Sequence, residues 1–197
     1  FYGCTPQLID NNSLEETFSL NPDLSEKEYC RGKGYITSKG NVNGRLSLTF
    51  TSSRSSTYIE FRDLIGRRTL FLILRENTIE AWDIRNNRKY DRESLIISFP
   101  FFELIKPSDL TNFLWGELPI TFKKPGDFLN NNKINNGQIQ FSSNQSENGV
   151  LINSVTFDIE QEDERIVLFI DNRDFDMQYP HLIREIPQSI IPAKKSL

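Results

Sequence analysis

The sequence predicts an α+β domain in which short apolar helices interrupt an antiparallel sheet of about nine strands. Two observations lead to this fold class. From Lys33 onward, apolar and polar residues alternate with a period of two in short runs separated by turn residues. Between Arg92 and Pro119 the alternation stops, and a dense apolar block with helix signals takes its place.

Composition narrows the classes of function. A chain of 197 residues suits one domain, and its net charge of −4 argues against binding nucleic acid through phosphate neutralisation. With one His and two Cys, neither a zinc site nor a His-dependent catalytic triad is expected. No apolar stretch reaches the roughly 20 residues that span a bilayer. We therefore expect no enzyme and no cofactor.

We predict three segments along the chain. Residues 1–13 are expected to be the remnant of an export signal followed by a polar tether, because Phe1 to Cys4 resemble the end of a processed signal. Residues 14–176 form the folded domain and begin with a short helix within Leu14–Tyr29. Residues 177–197 form a C-terminal extension with three prolines, and no structure is predicted for its end.

The first half of the sheet is predicted from alternation. Three strands carry their apolar residues at Leu46, Leu48 and Phe50, at Ile59 and Phe61, and at Leu70, Leu72 and Leu74. The third is also apolar on its other face, at Phe71 and Ile73. A fourth strand follows at Ile79–Ile84, and Asn86-Asn87 predicts a hairpin turn after it. Short connections favour a meander.

The apolar block between the two halves of the sheet is expected to be helical. It includes Phe99, Phe101 and Phe102, and Pro107 then begins a helix whose apolar residues are Leu110, Phe113 and Leu114. Gly116 and Pro119 end that helix. Because these helices are too apolar to face water, we expect them to lie against the sheet.

Three more strands are predicted after the helices, at Gly137–Ser142, Val150–Glu160 and Arg165–Asp171. Two architectures satisfy this order of elements. One is a sandwich-like domain with a filled core, and the other is a curved, nearly closed sheet whose helices plug its open side. The second can enclose an apolar cavity for a lipid chain.

Four stretches resemble the LolB family of outer-membrane lipoproteins and its relatives with the LolA/LolB fold. They are Arg31–Ile36, Asp63–Gly66 with Thr69-Leu70, Asp109–Pro119, and Arg165–Asn172. They match, in this order, the family's first strand, a Pro-Leu-Gly loop with the strand after it, the end of a helix, and the closing strand. The sequence departs from the family at Asp63-Leu64, which replace the residues around the loop proline, and at Arg173–Phe175, where a terminal Trp is absent.

The resemblance implies a curved antiparallel sheet that forms an incomplete β-barrel of about eleven strands, lidded by short helices. It implies a monomer on the periplasmic side of the outer membrane, which takes lipoproteins from a LolA-like carrier by their acyl chains and inserts them into the lipid surface. The cavity for acyl chains is then expected to be lined by Leu46, Leu48, Phe50, Ile59, Phe61, Leu70, Leu72, Leu74, Phe99, Phe102, Phe113 and Leu114. Taken without the resemblance, residues at such spacing are more often plain core.

The resemblance also implies a membrane-inserting loop after the third strand, at Leu64 and Ile65. Arginines flank this pair and would attract anionic head groups. The alternative is that the two residues pack at a strand end.

Cys4 is the candidate for lipidation, which would anchor the chain. The alternative is a disulfide between Cys4 and Cys30, which an exported protein permits. The broader alternative for the whole protein is an anchored structural or protein-binding lipoprotein that has the same fold and a filled core. We expect His181 to be a surface residue and Trp82 and Trp115 to serve in packing.

Overall fold

A computed structural model describes residues 23–40, 43–122, 132–134, 137–146, 149–160, 163–182 and 185–192. The strands are β1 (Tyr29–Lys39), β2 (Gly44–Ser53), β3 (Ser56–Arg62), β4 (Arg68–Arg75), β5 (Thr78–Asp83), β6 (Arg88–Tyr90), β7 (Asn132–Ile134), β8 (Gly137–Ser146), β9 (Gly149–Ile159), β10 (Glu164–Phe175) and β11 (Ile191–Pro192). The α-helices are α1 (Arg92–Ser98), α2 (Phe101–Leu104) and α3 (Pro107–Trp115), and short 3₁₀ helices span Asp23–Glu26, Ile120–Phe122 and Pro180–Leu182. Cys4 and most of the helix predicted within Leu14–Tyr29 lie outside the described residues.

All eleven strands belong to one sheet with the order β11-β6-β5-β4-β3-β2-β1-β10-β9-β8-β7. Strands β1 to β6 form one antiparallel meander and β7 to β10 a second, and the pairing of β1 with β10 joins them. The sheet curves around the three helices without closing, and β11 and β7 are its edges. The predicted fold class, an α+β incomplete barrel with short helices, is confirmed.

The main core lies between the concave face of the sheet and the helices. Phe50 and Leu72 from the sheet and Leu95, Phe113 and Trp115 from the helical segment are all fully buried in one apolar cluster. This follows from the sequence, because alternate residues of the strands present an apolar face to the helices.

A second, smaller cluster lies on the convex face. Phe71 and Ile73 of β4 are buried there beneath Ile186 and Ile190 of the C-terminal segment. That segment then adds β11 to the sheet, parallel to β6. The second face of β4 is thus apolar because the C-terminal segment covers it. The sequence predicted no structure for the end of that segment.

Two glycines of β1 allow close packing at the join between the meanders. A Cβ atom on Gly34 would lie 2.0 Å from the carbonyl oxygen of Phe169, and one on Gly32 would lie 2.5 Å from the ring of Phe50. The pairing of β1 with β10 shifts register between Lys33 and Gly34. Gly32 and Gly34 therefore serve the close packing of β1 against its neighbours.

Candidate functional site

An apolar pocket lies at the centre of the concave face, between the sheet and the helices. Its lining consists of Ile36, Leu48, Ile59, Phe61, Leu72, Phe101, Phe102, Leu110, Leu114 and Leu168. The volume of this cavity is about 10 Å³. That volume holds about one water molecule, whereas pockets for organic ligands are typically about 300–1,000 Å³. In this conformation the pocket has no room for an acyl chain.

The predicted cavity residues divide into two groups. Those that line the pocket are Leu48, Ile59, Phe61, Leu72, Phe102 and Leu114. The others belong to the same apolar cluster without lining the pocket, and these are Leu46, Phe50, Leu70, Leu74, Phe99 and Phe113. The lining residues absent from the prediction are Ile36, Phe101, Leu110 and Leu168. Alternation along β1 and β10 could have identified Ile36 and Leu168, and helical spacing could have identified Leu110.

Aromatic rings from α2 pack between the sheet and the helices. The ring centroids of Phe101 and Phe102 are 4.1 Å apart, and that of Phe101 is 5.3 Å from Phe157 on β9. Phe99 packs edge-on against Phe102 at 6.4 Å. An acyl chain can enter only if this aromatic cluster moves away from the sheet.

The helical segment that carries these rings is built from short pieces. Asp91 caps α1 by accepting hydrogen bonds from the backbone N–H and the hydroxyl of Ser94, at 2.9 and 2.6 Å. Pro100 separates α1, of seven residues, from α2, of four. Helices this short are marginal on their own, so their position depends on packing against the sheet.

The helix α3, in contrast, is fixed at its C-terminal end. Gly116 follows it in the left-handed conformation at φ 85°, and the Arg173 guanidinium donates to the carbonyl oxygens of Leu114 at 2.7 Å, Phe113 at 3.1 Å and Ile152 at 2.7 Å. Burial lowers the pKa of Arg173 to about 10, so the side chain stays charged at neutral pH. Arg173 thus anchors α3 to the sheet.

Trp115 makes a second anchor at the same end of α3. Its indole N–H donates to the Ser52 hydroxyl at 2.9 Å, and the Arg54 guanidinium lies 3.9 Å from its ring centroid. Trp115 is fully buried, as expected for a packing residue.

The loop between β3 and β4 presents two exposed apolar side chains. Leu64 is 83% exposed and Ile65 is 75% exposed. Asp63 closes the loop, since its Oδ1 accepts from the backbone N–H groups of Ile65 at 3.1 Å and Arg67 at 2.9 Å, and its Oδ2 accepts from Nε of Arg67 at 2.7 Å. Gly66 takes the turn at φ 82°. We call residues Asp63–Arg67 the tip loop; it places the predicted pair at the surface and not at a packed strand end.

Carboxylates pair with the three arginines beside the tip loop. Glu60, whose side chain is 4% exposed, lies 2.6 Å from Arg62 and 2.9 Å from Arg68. Asp63 pairs with Arg67, and this hydrogen bond holds the pKa of Asp63 below its usual range. With three arginines and two carboxylates, residues 60–68 have a net charge of +1. Glu60 went unnoticed in the sequence, because a lone acidic residue on a strand carries no pattern.

The remaining candidates contain no catalytic arrangement. Cys30 is a fully buried free thiol whose pKa burial raises to about 12, so it stays protonated and unreactive at neutral pH. His181 is exposed. Within the described ranges, no three His, Cys, Asp or Glu side chains cluster as metal ligands would, and none of the helices there is long and apolar enough to cross a membrane.

Solved structures share this fold at low sequence identity. A DUF1329 family protein from Desulfovibrio piger matches with a TM-score of 0.52 and 8% identity, over 82% of this chain and 92% of that one. A putative outer membrane lipoprotein-sorting protein domain from Vibrio parahaemolyticus matches at 0.47 and 8% identity over 82% and 92% of the two chains. A LolA superfamily protein from Nitrosomonas europaea matches at 0.44 and 9% identity over 90% and 99%.

No family model and no curated protein matches the sequence. Because the last two TM-scores lie below 0.5, the structural likeness rests on the Desulfovibrio piger protein, and at 8% identity it establishes the fold alone.

Proposed function

We propose that this protein is a LolB-type lipoprotein without enzymatic activity. It takes the acyl chains of lipoproteins from a LolA-like carrier, holds them between the sheet and the helices, and releases them into the outer membrane from its periplasmic side. The incomplete barrel, the wholly apolar pocket and the exposed tip loop support the proposal.

The tip loop is the observation that carries the proposal. Two large apolar side chains, more than 70% exposed, stand next to each other at the end of a closed loop. Transfer into the acyl region of a bilayer would stabilise each by about 1.5–3 kcal/mol. A surface with this property suits a protein that works against a lipid phase.

Acyl binding requires the aromatic cluster of α2 to move. The pocket between sheet and helices is small in this conformation, and Phe101 and Phe102 are among the residues that line it. The short helices α1 and α2 are held mainly by packing, so an entering chain can replace the contacts that it displaces. The driving force is hydrophobic, because an acylated polypeptide is unstable in water.

Removing one ring from the pocket should make acyl binding easier. We expect Phe102→Ala to bind a dansyl-labelled fatty acid at least about tenfold more tightly than the unaltered chain, because the ligand can occupy the cavity that the ring leaves. Forming that cavity costs about 3–5 kcal/mol of stability. Fluorescence titration of the full chain measures the affinity.

Phe50→Ala is the matched control. Phe50 is equally buried in the apolar cluster but does not line the pocket, so it should lose similar stability without gaining affinity. Equal affinities in Phe102→Ala, Phe50→Ala and the unaltered chain would count against an acyl site here.

The small pocket volume favours a second candidate, an anchored scaffold that keeps the fold and binds a protein partner. Its interior would stay closed under all conditions. This scaffold predicts that neither the unaltered chain nor Phe102→Ala takes up the probe.

Membrane anchoring through Cys4 is part of both candidates. Cys4 lies outside the described residues, and Cys30, its possible disulfide partner, is a buried free thiol. We expect mass spectrometry of the chain produced with an export signal to find diacylglycerol on Cys4. An unmodified thiol or a bridge to Cys30 would rule out the anchor.

A further inference from the structure

The closed geometry of the tip loop depends on one carboxylate. Asp63 accepts three hydrogen bonds, two from backbone N–H groups inside the loop and one from the Arg67 side chain. Two backbone bonds complete the loop, from Asp63 N–H to the Arg67 carbonyl at 3.0 Å and from Gly66 N–H to the Asp63 carbonyl at 2.9 Å. A loop fixed in this way presents Leu64 and Ile65 without an ordering cost when they insert.

Asp63 also determines the charge of the tip. Its ion pair with Arg67 offsets the cation nearest to the exposed apolar pair, while Glu60 offsets part of the charge of Arg62 and Arg68 on the strands behind. Arg62 also donates to the Gly66 carbonyl at 3.0 Å, so its guanidinium is engaged with the loop itself. Each of the three arginines thus has a carboxylate partner within the protein, although Glu60 serves two of them. The residues that project at the tip itself, Leu64 and Ile65, are apolar.

We infer that Asp63 is the positioning and specificity-determining residue of the tip loop, which it orders and neutralises so that Leu64 and Ile65 enter an uncharged lipid surface. This inference rests on the proposed function. The sequence led to the expectation that the flanking arginines attract anionic head groups. Our inference predicts instead that membrane binding by the tip loop depends little on the charge of the head groups.

Two substitutions separate the two roles of Asp63. Asp63→Asn keeps an oxygen that can accept the two backbone hydrogen bonds but removes the charge that offsets Arg67. Asp63→Ala removes both. Asp158→Asn is the matched control, because Asp158 forms a similar exposed pair with Arg165, at 2.5 Å, on the β9–β10 hairpin.

The experiment measures sedimentation of the full chain, produced without an export signal so that Cys4 carries no lipid, with vesicles of phosphatidylcholine and with vesicles of equimolar phosphatidylcholine and phosphatidylglycerol. The unaltered chain and Asp158→Asn should bind both with affinities within about threefold of each other. Asp63→Asn should keep its affinity for neutral vesicles and gain about fivefold on anionic ones, the effect of one released basic side chain. Asp63→Ala should lose about fivefold on neutral vesicles, because the loop must be ordered on insertion.

A readout without lipid tests the positioning role separately. The amide hydrogens of Ile65 and Arg67 should exchange several-fold faster with water in Asp63→Ala than in the unaltered chain, and nearly normally in Asp63→Asn. Unchanged exchange in Asp63→Ala would overturn the inference.

The double variant Leu64→Gln/Ile65→Gln keeps failure of the inference distinct from failure of the proposed function. If the unaltered chain binds neither vesicle, or if the double variant binds as well as the unaltered chain, the membrane role is wrong and a protein contact becomes the better explanation for the tip. If the double variant loses binding but Asp63→Asn gains nothing on anionic vesicles, only the role of Asp63 is overturned.

Discussion

Arg173 lies on β10 and connects the sheet to the helix α3. Its guanidinium satisfies carbonyl groups at the C-terminal end of α3 and one on β9. Carbonyl groups at a helix end have no partner within the helix, and leaving one unsatisfied in a buried region is costly. The Phe113 carbonyl also accepts from the Gly116 N–H at 2.9 Å. One side chain on β10 thus fixes both the end of α3 and its distance from the sheet.

Replacing Arg173 should destabilise the protein more than replacing a surface arginine. We expect Arg173→Ala to lower the free energy of unfolding by about 3 kcal/mol, since three acceptors lose a charged donor. Arg165→Ala breaks an exposed ion pair with Asp158 and should cost at most about 1 kcal/mol. Urea denaturation of both variants measures the difference, and equal losses would show that the contacts of Arg173 contribute little.

At the scale of single residues, the sequence predicts exposure and burial better than polar partnerships. Leu64 and Ile65 were identified as a candidate tip, and both are exposed, while their insertion into a membrane stays a prediction. Glu60 and Arg173 were missed. Glu60 bridges Arg62 on its own strand and Arg68 on the next one, and Arg173 donates to backbone carbonyls 21 to 60 residues away, whose position only the fold determines. In the sequence, Asp63 was noted only as a difference from the Pro-Leu-Gly loop of the LolB family. Its hydrogen bonds could not be inferred from that difference.

Among the elements, β1 holds the two meanders together. It pairs with β2 on one side and with β10 on the other, and Gly32 and Gly34 let neighbouring groups approach closer than any Cβ would permit. A strand interior normally disfavours glycine, so these positions reflect the close approach of the partner strand.

We expect Gly34→Ala to destabilise the protein by about 1–3 kcal/mol, because the added methyl group overlaps the Phe169 carbonyl and forces β1 and β10 apart. Gly44→Ala is the control, since a Cβ at Gly44 meets nothing within 4 Å. It should change stability by less than about 0.5 kcal/mol. If thermal unfolding shows equal effects for the two variants, tight packing at the β1–β10 join is not important.

Elements with a clear period were predicted, and elements fixed by distant contacts were not. The strands β2 to β5 follow from alternation, β6 follows from the hairpin turn predicted at Asn86-Asn87, and α3 follows from Pro107 and Gly116. The division of the apolar block into α1 and α2 could not be inferred from periodicity, because nearly every residue there is apolar. The strand β11 is two residues long and exists through its pairing with β6, so its local sequence contains no signal.

For the whole molecule, the C-terminal segment covers the convex face. Ile186 and Ile190 bury Phe71 and Ile73, and Tyr179 N–H donates to the Thr51 hydroxyl at 3.2 Å. The sheet therefore has an apolar layer on both faces, although only the concave one was foreseen. The boundary after residue 176 stays a prediction.

Truncation after Leu182 should expose that second layer. We expect it to lower stability by about 3–6 kcal/mol, the contribution of burying two isoleucines, and to make the protein bind a hydrophobic dye. Truncation after Pro192 keeps every described contact and should leave both properties unchanged. If the two truncated chains behave alike, the convex cluster contributes nothing measurable.

The curved sheet and its helical cover could be anticipated from alternation and family resemblance, whereas the state of the interior could not. Phe and Leu at these spacings fit either a filled core or an acyl-binding cavity, and the difference depends on whether α2 moves. This movement is the central claim of the proposed function.

Native mass spectrometry of the full chain, incubated with a synthetic triacylated peptide, tests this claim most directly. The account predicts a complex with one lipopeptide per chain, more abundant for Phe102→Ala than for Phe50→Ala. The account would be contradicted if, at saturating lipopeptide, both variants and the unaltered chain showed the mass of the free protein alone.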